Sequence, residues 1–262
     1  MEKYDLAVIG GGFAGVGAAL SAARGGARVI IVEKSNCFGG AATGALVNPF
    51  MPYSTKIDGE WIALSRGIFK EICDRLSVRG AFRDDVRFGD SFLEEELKFI
   101  LNCMLEEAGI TVLFHAQLFG AEKSGERVES VSVAARGSVL KIYADYFIDA
   151  TGNAQLAYLC GCPTTLGREG DNLCQPMTLC FRLGNVDVDN FFASKERLAT
   201  AHAKSLANGE LMNPRENILV FKTPIPNVLH FNTTRVVRKN PTSPTEVTEA
   251  EMLARRDRKS VV

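Results

Sequence analysis

The residues best suited to chemistry stand at the start of the chain. MEKYDLAVIGGGFAGVGAAL carries Gly10-x-Gly12-x-x-Gly15 between a short apolar run, LAVI, and an alanine-rich stretch. A strand that runs through glycines into a helix presents free N–H groups and the positive end of the helix dipole to an anion. In such a turn Gly10 permits the tight reversal, Gly12 lets the backbone approach a pyrophosphate, and Gly15 lets the helix close on the strand. Glu33 ends the next apolar run, ARVIIVE, at about the 20-residue spacing expected of an acid that accepts from ribose hydroxyls. A 2'-phosphate would be repelled there, which disfavours NADP. The plain alternatives are a glycine-rich turn without a ligand and a solvated strand-end carboxylate. The fingerprint alone leaves NAD and FAD both open.

Two further stretches narrow the choice. EKSNCFGGAATGALVNPF follows Glu33 directly, and YFIDATGNA comes more than a hundred residues later. Together with the first motif they resemble the FAD-dependent oxidoreductases of the glutathione-reductase-like superfamily. GREGDNLCQPMTLCFRLGNVD and TPIPNVLHFNTTRV resemble, within it, the FAD-dependent oxidoreductase family related to the flavin subunit of heterodisulfide reductase. The resemblance implies FAD held by Gly10, Gly12, Phe13, Ala14 and Gly15 in the first turn and by Glu33 and Lys34 after it. It adds Gly39, Gly40, Ala41 and Thr43 in the following loop, a strand ending at Leu118 beside the adenine, and a closing turn of Ala150, Thr151 and Gly152. It also implies a β-meander over 126–144. Members of the family run well past residue 262 and close on the flavin with a late Gly/Ala-rich segment.

A bound flavin transfers electrons itself, so few catalytic side chains are required. The weak catalytic candidates are Thr43 and Asn48, in the loop expected near the flavin, and His230 and Arg235 in VLHFNTTR. Strand alternation puts His230, Asn232 and Thr234 on one face. Arg235 suits a substrate carboxylate, with Arg168 and Gln175 as lesser candidates. The competing readings are loop-stabilising side chains for Thr43 and Asn48 and a polar sheet face for the rest. His115 reads as a packed or edge strand residue and His202 as a solvated helix residue.

The seven cysteines are scattered. Cys37 precedes Gly39-Gly40 without a near partner, which argues against a dithiol mechanism on that loop. Cys160-x-Cys162 is poorly spaced for a disulfide. No C-x2-C-x2-C run is present, so no iron–sulfur cluster and no metal is expected.

These residues need elements to hold them. Residues 4–9 and 27–33 read as parallel strands joined by a helix over 13–24 that stops at Gly25-Gly26. Trp61, Leu64, Ile68, Ile72 and Leu76 predict a helix over 61–76. Ser91 and Glu94 suggest a capping box for a helix with Leu97, Ile100, Leu101, Met104, Leu105 and Ala108 on one face and Gly109 as its stop. Residues 110–118 read as one strand, 126–144 as a hairpin turning near Arg136-Gly137, and 146–152 as a buried strand. Short strands are expected over 163–185 and 217–237. The fold class is therefore α/β: a Rossmann-like parallel-sheet FAD-binding domain with a β-meander over 1–160, carrying a helical insertion at about 55–108. The start of a mixed α+β substrate domain follows over 161–256.

A net charge of -1 gives no general attraction to nucleic acid or anionic membrane, and no apolar run is long enough to span a bilayer. With no export signal, free thiols point to the cytoplasm. The partners expected are a small-molecule substrate and an electron acceptor or a second copy of the chain. A non-catalytic FAD-binding subunit and an NAD-linked dehydrogenase are the alternatives in function. In the tail, Thr248 and Glu251 suggest the cap of a helix barely two turns long, too short to stand alone. Residues 257–262, DRKSVV, are also the translation of a common sequencing-adapter string followed by a stop. They are expected to be non-native read-through.

Overall fold

The computed structural model describes residues 3–84, 89–211 and 215–261. It divides into two units, Met1–Thr164 and Thr165–Val262.

The first unit begins as the apolar alternation requires. Strand β1 (Lys3–Ile9) leads into helix α1 (Phe13–Arg24), and β2 (Val29–Val32) follows, buried at every position. Helix α2 (Ala41–Gly44) is a single turn. Strands β3 (Ser54–Ile57) and β4 (Glu60–Ala63) pair as a hairpin whose two-residue turn, Asp58-Gly59, has both φ angles positive. This corrects the helix expected over 61–76. Asp-Gly is a strong signal for a primed hairpin turn, and it overrides the helical spacing of Trp61 and Leu64. Helix α3 (Ile68–Val78) starts only after Gly67, which is left-handed at φ 65°.

Strands β5 (Phe82–Arg83) and β6 (Ser91–Phe92) form a short bridge before helix α4 (Glu94–Glu107). The apolar stripe of α4 is buried as expected, and Gly109 (φ 66°) ends it. The capping box is not formed. Ser91 is tied up in β6, Leu93 is the N-cap, and the Glu94 carboxylate accepts from the Asn48 amide instead.

Residues 110–118 are two strands rather than one. Strand β7 (Thr111–Leu113) pairs parallel with β2, the chain turns at His115 (φ 53°), and β8 (Ala116–Ser124) sets out antiparallel to β9 (Arg127–Ala135). His115 is exposed at that turn. Strand β10 (Ser138–Asp149) is continuous over twelve residues. Its first half pairs antiparallel with β9 through the Arg136-Gly137 turn, and its second half lies parallel to β1. Hairpin and final strand are thus one element. It is only half buried, with Tyr146 73% and Ile148 37% exposed. The sheet order β7-β2-β1-β10-β9-β8 joins a parallel Rossmann-like half to a meander, and α5 (Gln155–Leu159) follows.

The second unit is a mixed α/β body. Strands β11 (Phe181–Leu183), β12 (Val220–Lys222) and β13 (Leu229–Phe231) form an antiparallel sheet with β13 central. Helices α6 (Val188–Ala193) and α7 (Lys195–Ala207) lie between β11 and β12, and α8 (Pro244–Val261) follows β13. Two tail expectations are corrected. Helix α8 starts four residues before Thr248, at Pro244, a residue pre-shaped for a first helical turn. It is 18 residues long. It also has packing partners, because Ala250 and Ala254 are buried against Val236, Met177 and Leu179. His202 in α7 is buried, not solvated.

Candidate functional site

The glycine turn sits between β1 and α1 where the sequence places it. A Cβ on Gly15 would lie 1.8 Å from the Gly10 carbonyl oxygen, and one on Gly10 would lie 2.3 Å from the Ala150 oxygen. Both glycines are therefore demanded by packing within the protein. Gly12 differs. Its φ is -69°, and a Cβ there would meet nothing closer than the Gly40 Cα at 4.0 Å. The protein leaves that space open. Gly12 is also the N-cap of α1, so no side chain caps the first turn, and no acidic residue stands in it. Phe13 is partly buried and Ala14 exposed. An open glycine, an uncapped helix start and a first helical turn free of acidic residues together suit a pyrophosphate.

The loop after β2 closes against this turn. The Gly39 amide donates to the Gly11 carbonyl at 2.8 Å, and a Cβ on Gly40 would come within 3.0 Å of the Gly12 Cα. Glu33 is buried; its two carboxylate oxygens accept from the Gly11 amide at 2.6 Å and the Ser35 amide at 2.7 Å. Each oxygen keeps a second lone pair for a further donor. Lys34, next in the chain, and Ala41 are exposed. The Glu33 backbone is tied to the 113–116 segment. The Glu33 amide donates to the Leu113 carbonyl and the Ala116 amide to the Glu33 carbonyl. Leu118 lies further along β8 and is buried, its carbonyl accepting from Gln155 at 2.7 Å.

The turn after β10 is organised by a residue the motif reading passes over. Asp149 accepts from the Thr151 amide and hydroxyl at 3.0 and 2.6 Å and from the Ala157 amide at 2.9 Å. Thr151 in turn accepts from the Gln155 amide. Burial opposes the Asp149 charge, but these hydrogen bonds outweigh it and hold its carboxyl below the usual carboxylate range. The signal was available, since an Asp two residues before a Thr readily makes an Asx turn. Ala150 docks on β1 through its amide to the Ile9 carbonyl. Gly152 is left-handed at φ 78°, exposed, with open space at its Cβ position.

The four weak catalytic candidates are not brought together. The Thr43 hydroxyl is buried and donates to the Phe38 carbonyl at 2.6 Å, which closes its own loop. Asn48 is buried and donates to the Phe92 carbonyl and to Glu94 at 2.8 and 2.7 Å, fastening the loop to the start of α4. His230 is 1% exposed in the central strand of the second unit, with its ring near Phe221. The polar face expected around it ends at Phe231, where the strand stops. Thr233 and Thr234 then spend their hydroxyls on the backbone of Leu219 and Leu179. Arg235 borders a concavity, in company with Arg168 and Gln175.

One further cavity was not anticipated. About 510 Å³ of largely apolar space is lined by Phe13 and Gly17 of α1, Ile68 and Phe69 of α3, and Phe50 and Tyr53. Phe50 is its hub, in ring contact with Phe13, Phe69 and Phe92. The Tyr53 hydroxyl donates to Asp90 at 2.5 Å, and its pKa is raised first by burial and then by that carboxylate. Burial also pushes the nearby Cys73 thiol up to about 12, so it stays protonated. Among the described residues no His, Cys, Asp and Glu cluster is placed to hold a metal ion, and no helix is long and apolar enough to cross a membrane.

Known proteins resemble this chain in both sequence and fold. The probable flavin-containing monoamine oxidase A of Dictyostelium discoideum is 30% identical over 76 residues, covering 29% of this chain and 16% of that protein. A geranylgeranyl bacteriochlorophyll reductase-like protein from Thermoplasma acidophilum superposes with a TM-score of 0.58 at 17% identity, over 100% of this chain and 63% of the other. BexE superposes with a TM-score of 0.54 at 15% identity, over 95% of this chain and 48% of its own. The chain thus spans less than two thirds of each, and the two structural likenesses speak to the fold. The sequence pattern described as "FAD dependent oxidoreductase" matches residues 5–262. With nearly every residue inside that match, the chain belongs to the FAD dependent oxidoreductase family.

Proposed function

We propose that the chain is the FAD-binding part of an oxidoreductase that passes a hydride or electrons between a small organic substrate and flavin. The observation that carries this is the open space at Gly12, facing Gly40 across an uncapped helix start. In this reading the amides of Gly12, Phe13, Ala14 and Gly15 hold the pyrophosphate. Glu33 takes the adenosine ribose with the free lone pairs of its carboxylate, and Lys34 borders it. Gly39, Gly40 and Ala41 cover the phosphates, with the Thr43 hydroxyl bracing that loop from beneath. The backbone of 113–118 flanks the adenine, and Ala150, Thr151 and Gly152 close the other side, held in shape by Asp149. Flavin, once bound, supplies the two-electron chemistry; the protein residues bind it, orient it and exclude water.

The motifs favour the glutathione-reductase-like superfamily and a kinship with the flavin subunit of heterodisulfide reductase. An electron-acceptor protein or a second copy of the chain, in the cytoplasm, is the partner this reading expects. Purification of the chain followed by flavin absorbance is the test. Yellow protein that releases FAD on denaturation, and that an organic donor bleaches, supports the proposal. Bound FAD that no donor reduces points to a non-catalytic flavin subunit. Colourless protein that binds NADH and ignores FAD overturns the reading in favour of an NAD-linked dehydrogenase.

A further inference from the structure

The second unit contains a charged concavity of about 740 Å³, a size suited to a small organic molecule, between the 167–176 loop and the 235–238 segment. Its rim is held in place by the protein itself. Met177 and Val236 exchange both backbone hydrogen bonds, and the Thr234 hydroxyl accepts from the Leu179 amide and donates to its carbonyl. Gly167, at φ 72°, packs so tightly that a Cβ would lie 2.2 Å from the Asn172 oxygen. Three arginines line this space, Arg168, Arg235 and Arg238. Arg168 grips Asp171 with three contacts of 2.6 to 3.1 Å, so those two charges cancel. Among the described residues, neither Arg235 nor Arg238 forms an ion pair with a carboxylate, although the Asp257 carboxylate lies by the Arg235 backbone amide. Arg235 instead faces like charge, since it opposes the charge on Arg215, which burial already disfavours. Arg235 and Arg238 therefore line one concavity without an ion-pair partner, with Gln175 beside them and Leu173, Pro176 and Val237 around them.

We propose that this concavity binds an organic anion. A carboxylate or phosphoryl group pairs with the Arg235 and Arg238 guanidinium groups, and the carbon body rests on Leu173, Pro176 and Val237. Guanidinium is the side chain whose fork matches such oxyanions in a bidentate way. Binding here does not depend on flavin, so it stands or falls separately from the proposed function.

Calorimetric titration of the whole chain with succinate, inorganic phosphate and neutral succinamide, at matched ionic strength, tests it. Succinate or phosphate should bind and succinamide should not; the tighter of the two anions identifies the oxyanion. The double substitution Arg235→Ala/Arg238→Ala should weaken binding at least about tenfold, while Arg197→Ala, an exposed arginine on α7, should leave it unchanged. If the double variant fails to fold, Arg238→Gln decides, because Arg238 is exposed and its loss removes no packed side chain. No heat with either anion up to millimolar concentration overturns the proposal. So does equal binding of succinamide, or parental affinity in the double variant or, where that fails to fold, in Arg238→Gln.

Discussion

At the scale of single residues, the glycines separate binding from folding. Gly15→Ala forces a Cβ into the Gly10 carbonyl, and such overpacking should cost about 3 kcal/mol, read as a lower urea midpoint. Gly12→Ala meets open space and an ordinary φ. It should leave the urea midpoint nearly unchanged yet weaken FAD binding at least about tenfold, because the new methyl occupies the phosphate approach. Equal losses of stability in the two variants would refute that division. Asp149 makes a pH prediction. Its folded-state pKa lies below the usual value, so its contribution is present above about pH 4 and lost as the pH falls through the folded-state pKa. Asp149→Asn should therefore destabilise the first unit by about 1–2 kcal/mol at neutral pH. It should also flatten the acid limb of a melting-temperature profile. The glycine turn and the strand and helix that flank it could be read from sequence because they are defined by local spacing. The fates of Thr43, Asn48 and His230 could not, since their partners at Phe38, Phe92, Glu94 and Phe221 are set by tertiary packing.

At the scale of elements, turn chemistry decides where periodicity is ambiguous. The apolar spacing that suggests a helix at Trp61 is real, but Asp58-Gly59 and Gly67 impose a hairpin and then a late helix start. His115 likewise cuts one apparent strand into two, each belonging to a different half of the sheet. The first helix and the stripe of α4 are legible because nothing local competes with their pattern. The joint between loop and helix at Asn48 is a testable consequence. Asn48→Ala removes buried hydrogen bonds to the Phe92 backbone and to Glu94 and should cost about 2–3 kcal/mol. Hydrogen exchange should then show faster opening of the first turn of α4, with β1 protection retained.

At the scale of the whole molecule, the first unit carries its own apolar clusters, one on each side of the large sheet. Residues 1–164 expressed alone should fold cooperatively and bind FAD, as circular dichroism and flavin fluorescence quenching would report; an unfolded product would contradict this. The continuous strand β10 has a further consequence, for the chain as it is being made. Lys3 pairs with Tyr143, so the strand that leaves the ribosome first waits some 140 residues for one of its two neighbours. At roughly 5–20 residues per second that delay is on the order of ten seconds. Throughout it β1 has an open edge, the kind of surface that chaperones and aggregation both recognise. Nascent chains stalled before residue 149 should be digested readily, and those stalled well beyond it should resist.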